Sequence, residues 1–177
     1  METEKLLKLD LGCGTRKKEG FLGVDSRKFE GVDIVCDLGD STKAWPWEND
    51  SVDDVNCSHL VEHFTARERI HFVNELHRVL KKGSKAFVAV PHWCSQRAYG
   101  DLTHQWPPVS EFWFYYLDKD WRAANAPHND FYTCDFAITW GYALRPDIGT
   151  RNQEFQQFAM SNYKEACADM LATWAKK

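Results

Sequence analysis

An apolar run that ends in two closely spaced glycines constrains the fold of this chain more than any other stretch. Residues 6–11 are apolar except for Lys8 and Asp10, and Gly12 and Gly14 follow directly. A run of this kind is typical of a buried strand in a parallel sheet. The glycines allow a sharp turn and let another molecule approach bare backbone. Because open α/β sheets bind ligands at the carboxyl ends of their strands, this turn predicts a ligand site.

Acidic residues also end the two strands that are predicted next. Residues 21–25 form a predicted strand that closes on Asp25, and a third predicted strand at 32–36 is followed by Asp37. Parallel strands that end in this way place their carboxylates along one edge of the sheet. Only residues 12–20 separate the first two strands, whereas a parallel crossover normally needs a dozen or more residues. The first helix is therefore predicted to be about one turn long or missing.

A well-defined helix is predicted after the fourth strand. Thr65 and Glu68 form a capping box, and apolar residues recur at helical spacing as far as Leu80. Gly83 suits the position just beyond a helix, which predicts that the helix ends there. The flanking strands are predicted at residues 51–57 and 85–90.

The sequence pattern changes after the fifth predicted strand. Residues 92–130 show no regular alternation and are rich in aromatic side chains, so we predict an insertion that covers the ligand edge of the sheet. Residues 109–124 within it are predicted to be helical. A further strand is predicted near residues 132–140.

Two elements are predicted in the C-terminal part of the chain. Thr150 and Gln153 form a second capping box, which predicts a helix over residues 151–166. Residues 169–175 fit a helix by propensity. We nevertheless predict a last strand there, because the strand near 134–142 otherwise lacks an antiparallel partner.

The composition excludes several classes of protein. With 177 residues, 44% hydrophobic and 27% charged, the chain is predicted to form a single soluble domain with its core at 5–91 and 131–177. The net charge of −4 gives no basic footprint, so duplex nucleic acid is not an expected partner. No apolar run approaches the ~20 residues of a membrane span, so no membrane association is expected. Six cysteines without a C-x-x-C pair, and a charged segment at 1–5 unlike a signal peptide, predict a cytoplasmic location.

Two nucleotide cofactors suit a glycine-rich first turn, and the residues favour one of them. A dinucleotide requires a third glycine and a helix N-terminus for its pyrophosphate, but Lys17 occupies the third-glycine position and the helix has no room. S-adenosylmethionine carries no phosphate. Asp25 can accept protons from both ribose hydroxyls, and Asp37 with the Leu38 amide can contact the adenine. An acidic strand edge also favours the cationic sulfonium.

Several segments together resemble the class I S-adenosylmethionine-dependent methyltransferases over residues 5–91. Residues 9–14 resemble the first motif of that family, residues 23–25 its ribose motif and residues 36–38 its adenine motif. Residues 51–63 resemble its fourth-strand region, and residues 76–83 the helix and turn before its fifth strand.

The resemblance implies both a fold and a cofactor. The fold is an α/β, Rossmann-like methyltransferase fold whose mostly parallel sheet has an antiparallel last strand. The cofactor is S-adenosylmethionine, and the matching positions are Asp10, Gly12, Cys13, Gly14, Asp25, Ser26, Asp37, Leu38, Ser58 and His59. Arg16 departs from the family pattern, because many members have a further glycine there. The resemblance therefore predicts no group for the methionine carboxylate.

A second motif competes for some of the same residues. His59, Glu62 and His63 match the H-x-x-E-H signature of inverted zinc proteases. On a helix the two histidines would share a face and bind zinc with Glu62 as the base, although a third protein ligand would still be needed. Because a predicted strand precedes the motif and the capped helix starts only at Thr65, we assign no metal site and keep a zinc hydrolase as a remote alternative.

Methyl transfer from a sulfonium requires alignment of the acceptor, and a base helps where the acceptor carries a proton. The candidates after the fifth strand are His92, Asp101 and His104, each of which can equally stabilise a loop. The aromatic insertion suits a small acceptor that is flat or cationic, such as an aromatic molecule or an amine. The sequence thus predicts a methyltransferase acting on a small molecule. A non-catalytic protein that binds S-adenosylmethionine or a nucleotide is the alternative.

Overall fold

Seven strands form one sheet in the computed structural model of the protein, which describes residues 6–177. The charged segment at residues 1–5, with the first residue of the predicted core, lies outside the described residues. The strand order across the sheet is β3-β2-β1-β4-β5-β7-β6. The strands are β1 (Lys8–Leu11), β2 (Leu22–Asp25), β3 (Ile34–Val35), β4 (Val52–Ser58), β5 (Leu80–Pro91), β6 (Phe136–Leu144) and β7 (Cys167–Lys176).

The sheet is mostly parallel, as the sequence predicts. The pairs β3–β2, β2–β1, β1–β4 and β4–β5 are parallel, and β7 runs antiparallel to both β5 and β6. The predicted last strand at 169–175 is confirmed. It lies between β5 and β6, so that β6 forms the edge of the sheet.

Six α-helices occur in the part of the chain that the structure describes. They are α1 (Ala66–Val79), α2 (Arg97–Gly100), α3 (Glu111–Tyr115), α4 (Lys119–Asn125), α5 (Pro146–Gly149) and α6 (Gln153–Asn162), and a single 3₁₀ turn covers Val61–His63. Turns and extended chain connect β1 to β2, so the prediction that the first helix is one turn long or missing is confirmed. No helix in residues 6–177 combines the length and the apolar character that a membrane span requires.

Helix α1 begins as predicted but ends earlier. The Thr65 side chain accepts from the Glu68 amide, and the Glu68 side chain accepts from the Thr65 amide at 2.7 Å, so the capping box is present. The end predicted at Gly83 is wrong. Leu80 is already extended, with ψ of 137°, and pairs with Val52 as the first residue of β5. Gly83 has φ of 79° and lies where the register between β4 and β5 shifts.

Three boundaries in the second half also differ from the predictions. The stretch predicted as one helix is divided into α3 and α4, because Asp118 starts α4 by accepting from the Trp121 amide. The cap of α6 is Asn152 and not Thr150, since its side chain accepts from the Phe155 amide. Strand β6 starts only at Phe136.

The late start of β6 has a local cause. The backbone amides of Thr133 and Cys134 donate to the side-chain oxygen of Asn74 on α1 and not to a neighbouring strand. The Phe136 amide then donates to the carbonyl of Leu117 before pairing with β7 begins.

The main core cluster lies on one face of the sheet, because the register places Leu11, Cys57 and Val88 side by side. Helix α1 packs its buried residues Phe72, Val73, Leu76 and Val79 against one cluster with Leu9 and Leu11 of β1. Aromatic side chains after β5 enter the same cluster. Phe114 is buried and its ring contacts that of Trp174 at a centroid distance of 5.8 Å. Part of the aromatic segment is therefore core.

Candidate functional site

The turn after β1 presents backbone to an open cavity. Gly12 and Gly14 have φ of 71° and 53°, a conformation that side chains disfavour. The amides of Gly12 and Cys13 both donate to the carbonyl of Val24, which fixes the turn against β2. A Cβ at Gly12 would lie 3.0 Å from Leu60, whereas nothing lies within 4 Å of one at Gly14. The turn therefore leaves bare backbone facing open space at Gly14.

This first cavity has a volume of about 520 Å³. At its base Asp10 is buried, and its carboxylate accepts from the Lys18 amide at 2.7 Å and from the Asn56 side chain at 2.6 Å. The register of the sheet brings this about, because Asp10 on β1 lies beside Asn56 on β4. The residues that line the cavity are Asp10, Gly12, Cys13, Gly14, Thr15, Arg16, Asn56, Ser58, His59 and Arg97.

Six of the ten predicted cofactor positions line this cavity: Asp10, Gly12, Cys13, Gly14, Ser58 and His59. Asp25, half-buried at the end of β2, lies behind the turn, where its carboxylate accepts from the Gly14 amide at 3.0 Å and from the Arg27 amide. The sequence missed Thr15, Asn56 and Arg97 as lining residues and singled out Arg16 without giving it a role. Only the sheet register identifies Asn56, and no sequence signal identifies Arg97.

The other three predicted positions lie outside the lining. Ser26 is exposed just after β2. Asp37 accepts from the Gly39 amide and so closes its own turn. Leu38 is buried, and its carbonyl accepts from the Trp45 indole.

A second cavity of about 650 Å³ adjoins the first. The two share Arg16, His59 and Arg97 as lining residues, so these three side chains stand at their junction. The remaining residues that line the second cavity are Glu62, His63, Pro91, Gln96, Gly100, Asp101 and His104.

His59 stands at the junction in an unusual backbone conformation. Its φ of 56° turns the chain directly after β4. Its Nδ1 lies 3.1 Å from Oε1 of Glu62, and this hydrogen bond raises the pKa of His59 against the opposing effect of burial. Arg97 forms an ion pair with Asp169 at 2.9 Å beside it. The junction therefore carries fixed charges of both signs.

The helix that a zinc-protease site requires is absent from this motif. His59 has a left-handed backbone conformation and only Val61–His63 form a 3₁₀ turn. His59 and His63 therefore do not share one face of an α-helix, and His59 is bonded to Glu62. The helical arrangement of His59 and His63 that the remote zinc-hydrolase alternative required is therefore wrong.

The three candidate bases occupy different positions. Asp101 and His104 line the second cavity, and His104 Nε2 lies 3.9 Å from Asp101 Oδ2. Two hydrogen bonds from Thr103 lower the pKa of Asp101 and keep it a carboxylate. His92 is fully buried and lines neither cavity. Both of its ring nitrogens are engaged, with Cys94 Sγ at 2.9 Å and Glu111 Oε1 at 2.8 Å.

Comparison with known proteins agrees with this architecture. Residues 9–88 match the sequence model of a family described as "Methyltransferase domain". No curated protein matches the chain.

Solved structures with the same fold superpose on nearly the whole length of this chain. A SAM-dependent methyltransferase from Archaeoglobus fulgidus superposes with a TM-score of 0.66 at 17% identity, over 98% of this chain and 87% of the other. Geranyl diphosphate C-methyltransferase from Streptomyces coelicolor A3(2), solved with Mg²⁺, geranyl diphosphate and S-adenosyl-L-homocysteine, gives 0.56 at 14% identity, over 97% and 71%. The [4+2]-cyclase SpnF gives 0.55 at 16% identity, over 97% and 75%.

The chain therefore has the class I methyltransferase fold, and its residues 9–88 match the model of a methyltransferase domain. The prediction of an S-adenosylmethionine-dependent methyltransferase is confirmed at the level of this class. S-adenosylmethionine, predicted from the first turn and the acidic strand ends, is the cofactor of that class.

Proposed function

We propose that this protein transfers the methyl group of S-adenosylmethionine to a small acceptor molecule held in the second cavity. The observation that carries the proposal is the junction of the two cavities at Arg16, His59 and Arg97. One cavity is lined by the glycine turn and the other by titratable side chains, so a donor and an acceptor can meet at the junction. Volumes of about 520 and 650 Å³ suit small molecules.

The first cavity is the proposed cofactor site. The bare backbone at Gly14 would face the methionine end of the cofactor, and Arg16 supplies a cation for its carboxylate. Asp25 would bind the ribose hydroxyls, and Asp37 with Leu38 the adenine. Asp10 acts indirectly, because its carboxylate is already occupied by Lys18 and Asn56.

Methyl transfer needs few catalytic groups. The acceptor atom forms a bond to the methyl carbon, the carbon–sulfur bond breaks and its electron pair stays on sulfur. Holding donor and acceptor in line can supply several kcal/mol of the barrier reduction. Asp101 and His104 stand on the acceptor side. We do not place His92 in this step, because it is buried and lines neither cavity.

Titration calorimetry with S-adenosylmethionine and S-adenosylhomocysteine tests the cofactor site. We expect one equivalent of each to bind, and Asp25→Ala to weaken binding at least about tenfold through loss of a charged hydrogen-bond acceptor. Asp25→Asn keeps one oxygen for the Gly14 amide, so its affinity should lie between those of the wild type and Asp25→Ala. Exposed Asp130→Ala is the matched control and should bind as the wild type does. Absence of binding by the wild type would sink the proposal.

A turnover assay distinguishes an enzyme from a non-catalytic binding protein. Wild-type protein is incubated with S-adenosylmethionine and a panel of small hydroxyl, amine and aromatic acceptors, and release of S-adenosylhomocysteine is measured. Cofactor binding without release from any acceptor favours a non-catalytic binding protein. The fold alone does not decide the matter, since SpnF shares it and is described as a [4+2]-cyclase.

A further inference from the structure

Three side chains with metal-binding atoms converge at one wall of the second cavity. A carboxylate oxygen of Glu62 and a ring nitrogen from each of His63 and His104 lie within 4.8 Å of one another. The sequence predicted no metal here, because the H-x-x-E-H motif lies between a predicted strand and a helix that starts only at Thr65, and it offered no third ligand.

Hydrogen bonds fix the tautomer of His63. The hydroxyl of Thr103 donates to Asp101 Oδ1 at 2.7 Å, so its oxygen is left to accept. His63 Nδ1 lies 2.9 Å from that oxygen. The Nδ1–H group of His63 therefore donates to the Thr103 oxygen. The Nε2 atom of His63 therefore keeps its lone pair, which is the form in which histidine binds a metal.

His104 is held in the same state. Its Nδ1 lies 3.4 Å from the carbonyl oxygen of Ala98, which can only accept. This contact favours a proton on Nδ1 and a lone pair on Nε2, which lies 3.9 Å from Asp101 Oδ2. Metal-binding histidines commonly donate their second N–H to a carbonyl, a hydroxyl or a carboxylate in this way.

Glu62 supplies an oxygen without a partner. Its side chain is 5% exposed; Oε1 lies 3.1 Å from His59 Nδ1, and Oε2 is buried with no hydrogen-bond partner in the described structure. A buried carboxylate oxygen that is left unpaired costs free energy. A cation bound between this oxygen and the two imidazoles would satisfy it.

The surrounding backbone holds these groups in place. The buried Arg69 of α1 donates to the carbonyls of Val61 and Glu62 on one side and to those of Gln105 and Pro107 on the other. The Gln105 amide also donates to the carbonyl of Glu62 at 2.8 Å. Because the N–H groups of Arg69 donate to backbone carbonyls, none of these hydrogen bonds goes to the Glu62 carboxylate.

We propose that Glu62, His63 and His104 bind a divalent transition-metal cation, and that this cation holds an oxygen of the methyl acceptor. Two imidazoles and one carboxylate are the ligand set of Zn²⁺ and related ions and disfavour Mg²⁺. A tetrahedral ion with ~2.1 Å bonds holds its ligands roughly 3.4 Å apart, so atoms that lie within 4.8 Å of one another need to approach by at most about 1.4 Å. Three protein ligands leave a coordination position open.

The second half of this proposal rests on the proposed function and names the acceptor class as a hydroxyl compound. A metal-bound hydroxyl ionises more readily, which makes it a better nucleophile at neutral pH. Its proton leaves to bulk solvent, and its oxygen forms the bond to the methyl carbon. The carbon–sulfur bond breaks, and the thioether leaves with the electron pair.

A second cluster of potential ligands must be separated from this one. His92, Cys94 and Cys167 are buried and also bring ligand atoms within 4.8 Å of one another. Both nitrogens of His92 are already bonded and the cluster lines neither of the two cavities described. Cys94→Ser therefore serves as the test of whether an ion binds there.

Equilibrium dialysis with Zn²⁺ and absorption spectra with Co²⁺ test the site on the full chain. We expect one equivalent of Zn²⁺ per wild-type chain and tetrahedral Co²⁺ bands. Glu62→Gln, His63→Ala and His104→Ala should each weaken Zn²⁺ binding more than ~100-fold, and Thr103→Val by the ~10–100-fold typical of losing an outer partner. The exposed His128→Ala and the Cys94→Ser variant should bind as the wild type does. Circular dichroism establishes that each variant is folded.

Two results would overturn the site: no Zn²⁺ binding by the wild type, or binding that survives in His104→Ala and disappears in Cys94→Ser.

Catechol, a chelating dihydroxy probe, tests the acceptor role. It should shift the Co²⁺ bands of the wild-type protein, and unchanged bands would overturn that role. His104→Ala should keep wild-type affinity for S-adenosylmethionine. Metal binding without cofactor binding would refute the proposed function and with it the acceptor role, but not the metal site. Cofactor binding without metal binding would refute this inference alone.

Discussion

Gly23 lies where β2 passes close to the backbone of a neighbouring loop. A Cβ there would stand 2.6 Å from the carbonyl oxygen of Gly31, a backbone atom that cannot move aside. We expect Gly23→Ala to lower the free energy of unfolding by about 2 kcal/mol, as overpacked sites do. Thermal melting measures it.

Gly141→Ala is the matched control for this prediction. Gly141 is also in a strand, and a Cβ added there meets nothing within 4 Å. Its melting temperature should equal or slightly exceed that of the wild type. Equal melting temperatures for the two variants would mean that the close approach at Gly23 carries no cost.

At the level of single residues, the sequence identified side chains near the site but not their partners. The glycine turn and Asp10 were identified because strand ends and positive φ have local signatures. Asn56 and Arg97 were not, because they reach the first cavity through sheet register and tertiary packing. The pairing of His63 with His104 likewise depends on Arg69, which joins two segments that are far apart in the chain.

At the level of elements, the cap of α1 makes a measurable contribution. Thr65→Ala removes the side-chain oxygen that accepts from the Glu68 amide. We expect a loss of about 1 kcal/mol in the free energy of unfolding, measured by urea denaturation. Ser110→Ala is the control, because Ser110 begins α3 without a side-chain cap bond. A loss at Ser110 as large as that at Thr65 would contradict the assignment.

Elements with strong local signals were predicted and those that depend on tertiary contacts were misplaced. The capping box at Thr65 and the missing first helix follow from nearby residues. The start of β6 does not, because the Asn74 side chain takes the amides of residues 133 and 134. The pattern Thr150–Gln153 was misleading, since Asn152 offers a competing cap.

At the scale of the whole molecule, the segment between β5 and β6 has two roles. Its buried rings, such as Phe114, pack on Trp174 and complete the core. Its loop with Asp101 and His104 forms a wall of the second cavity. The sequence predicted a cover over the ligand edge but could not divide the aromatic residues between core and surface, because nothing in their spacing distinguishes the two.

Glu111 joins three parts of the molecule and should make its stability depend on pH. Its Oε1 accepts from His92 just after β5, at 2.8 Å, and from the Tyr142 hydroxyl on β6, at 2.9 Å. Burial raises the pKa of Glu111, but the hydrogen bonds, above all that from His92, outweigh it and lower the pKa from 4.5 to about 2. The ionised form is therefore favoured by folding. This stabilisation is complete above the unfolded pKa and is lost as pH falls through the folded one.

We expect Glu111→Gln to lower the free energy of unfolding by about 2 kcal/mol at pH 7, measured by urea denaturation. The difference from the wild type should shrink as the pH falls from 4.5 towards 2, because the wild-type carboxylate then becomes protonated. Glu30→Gln, at an exposed site, is the matched control and should show no such dependence. A difference that stays constant from pH 7 to pH 3 would mean that the ionisation of Glu111 does not contribute to folding.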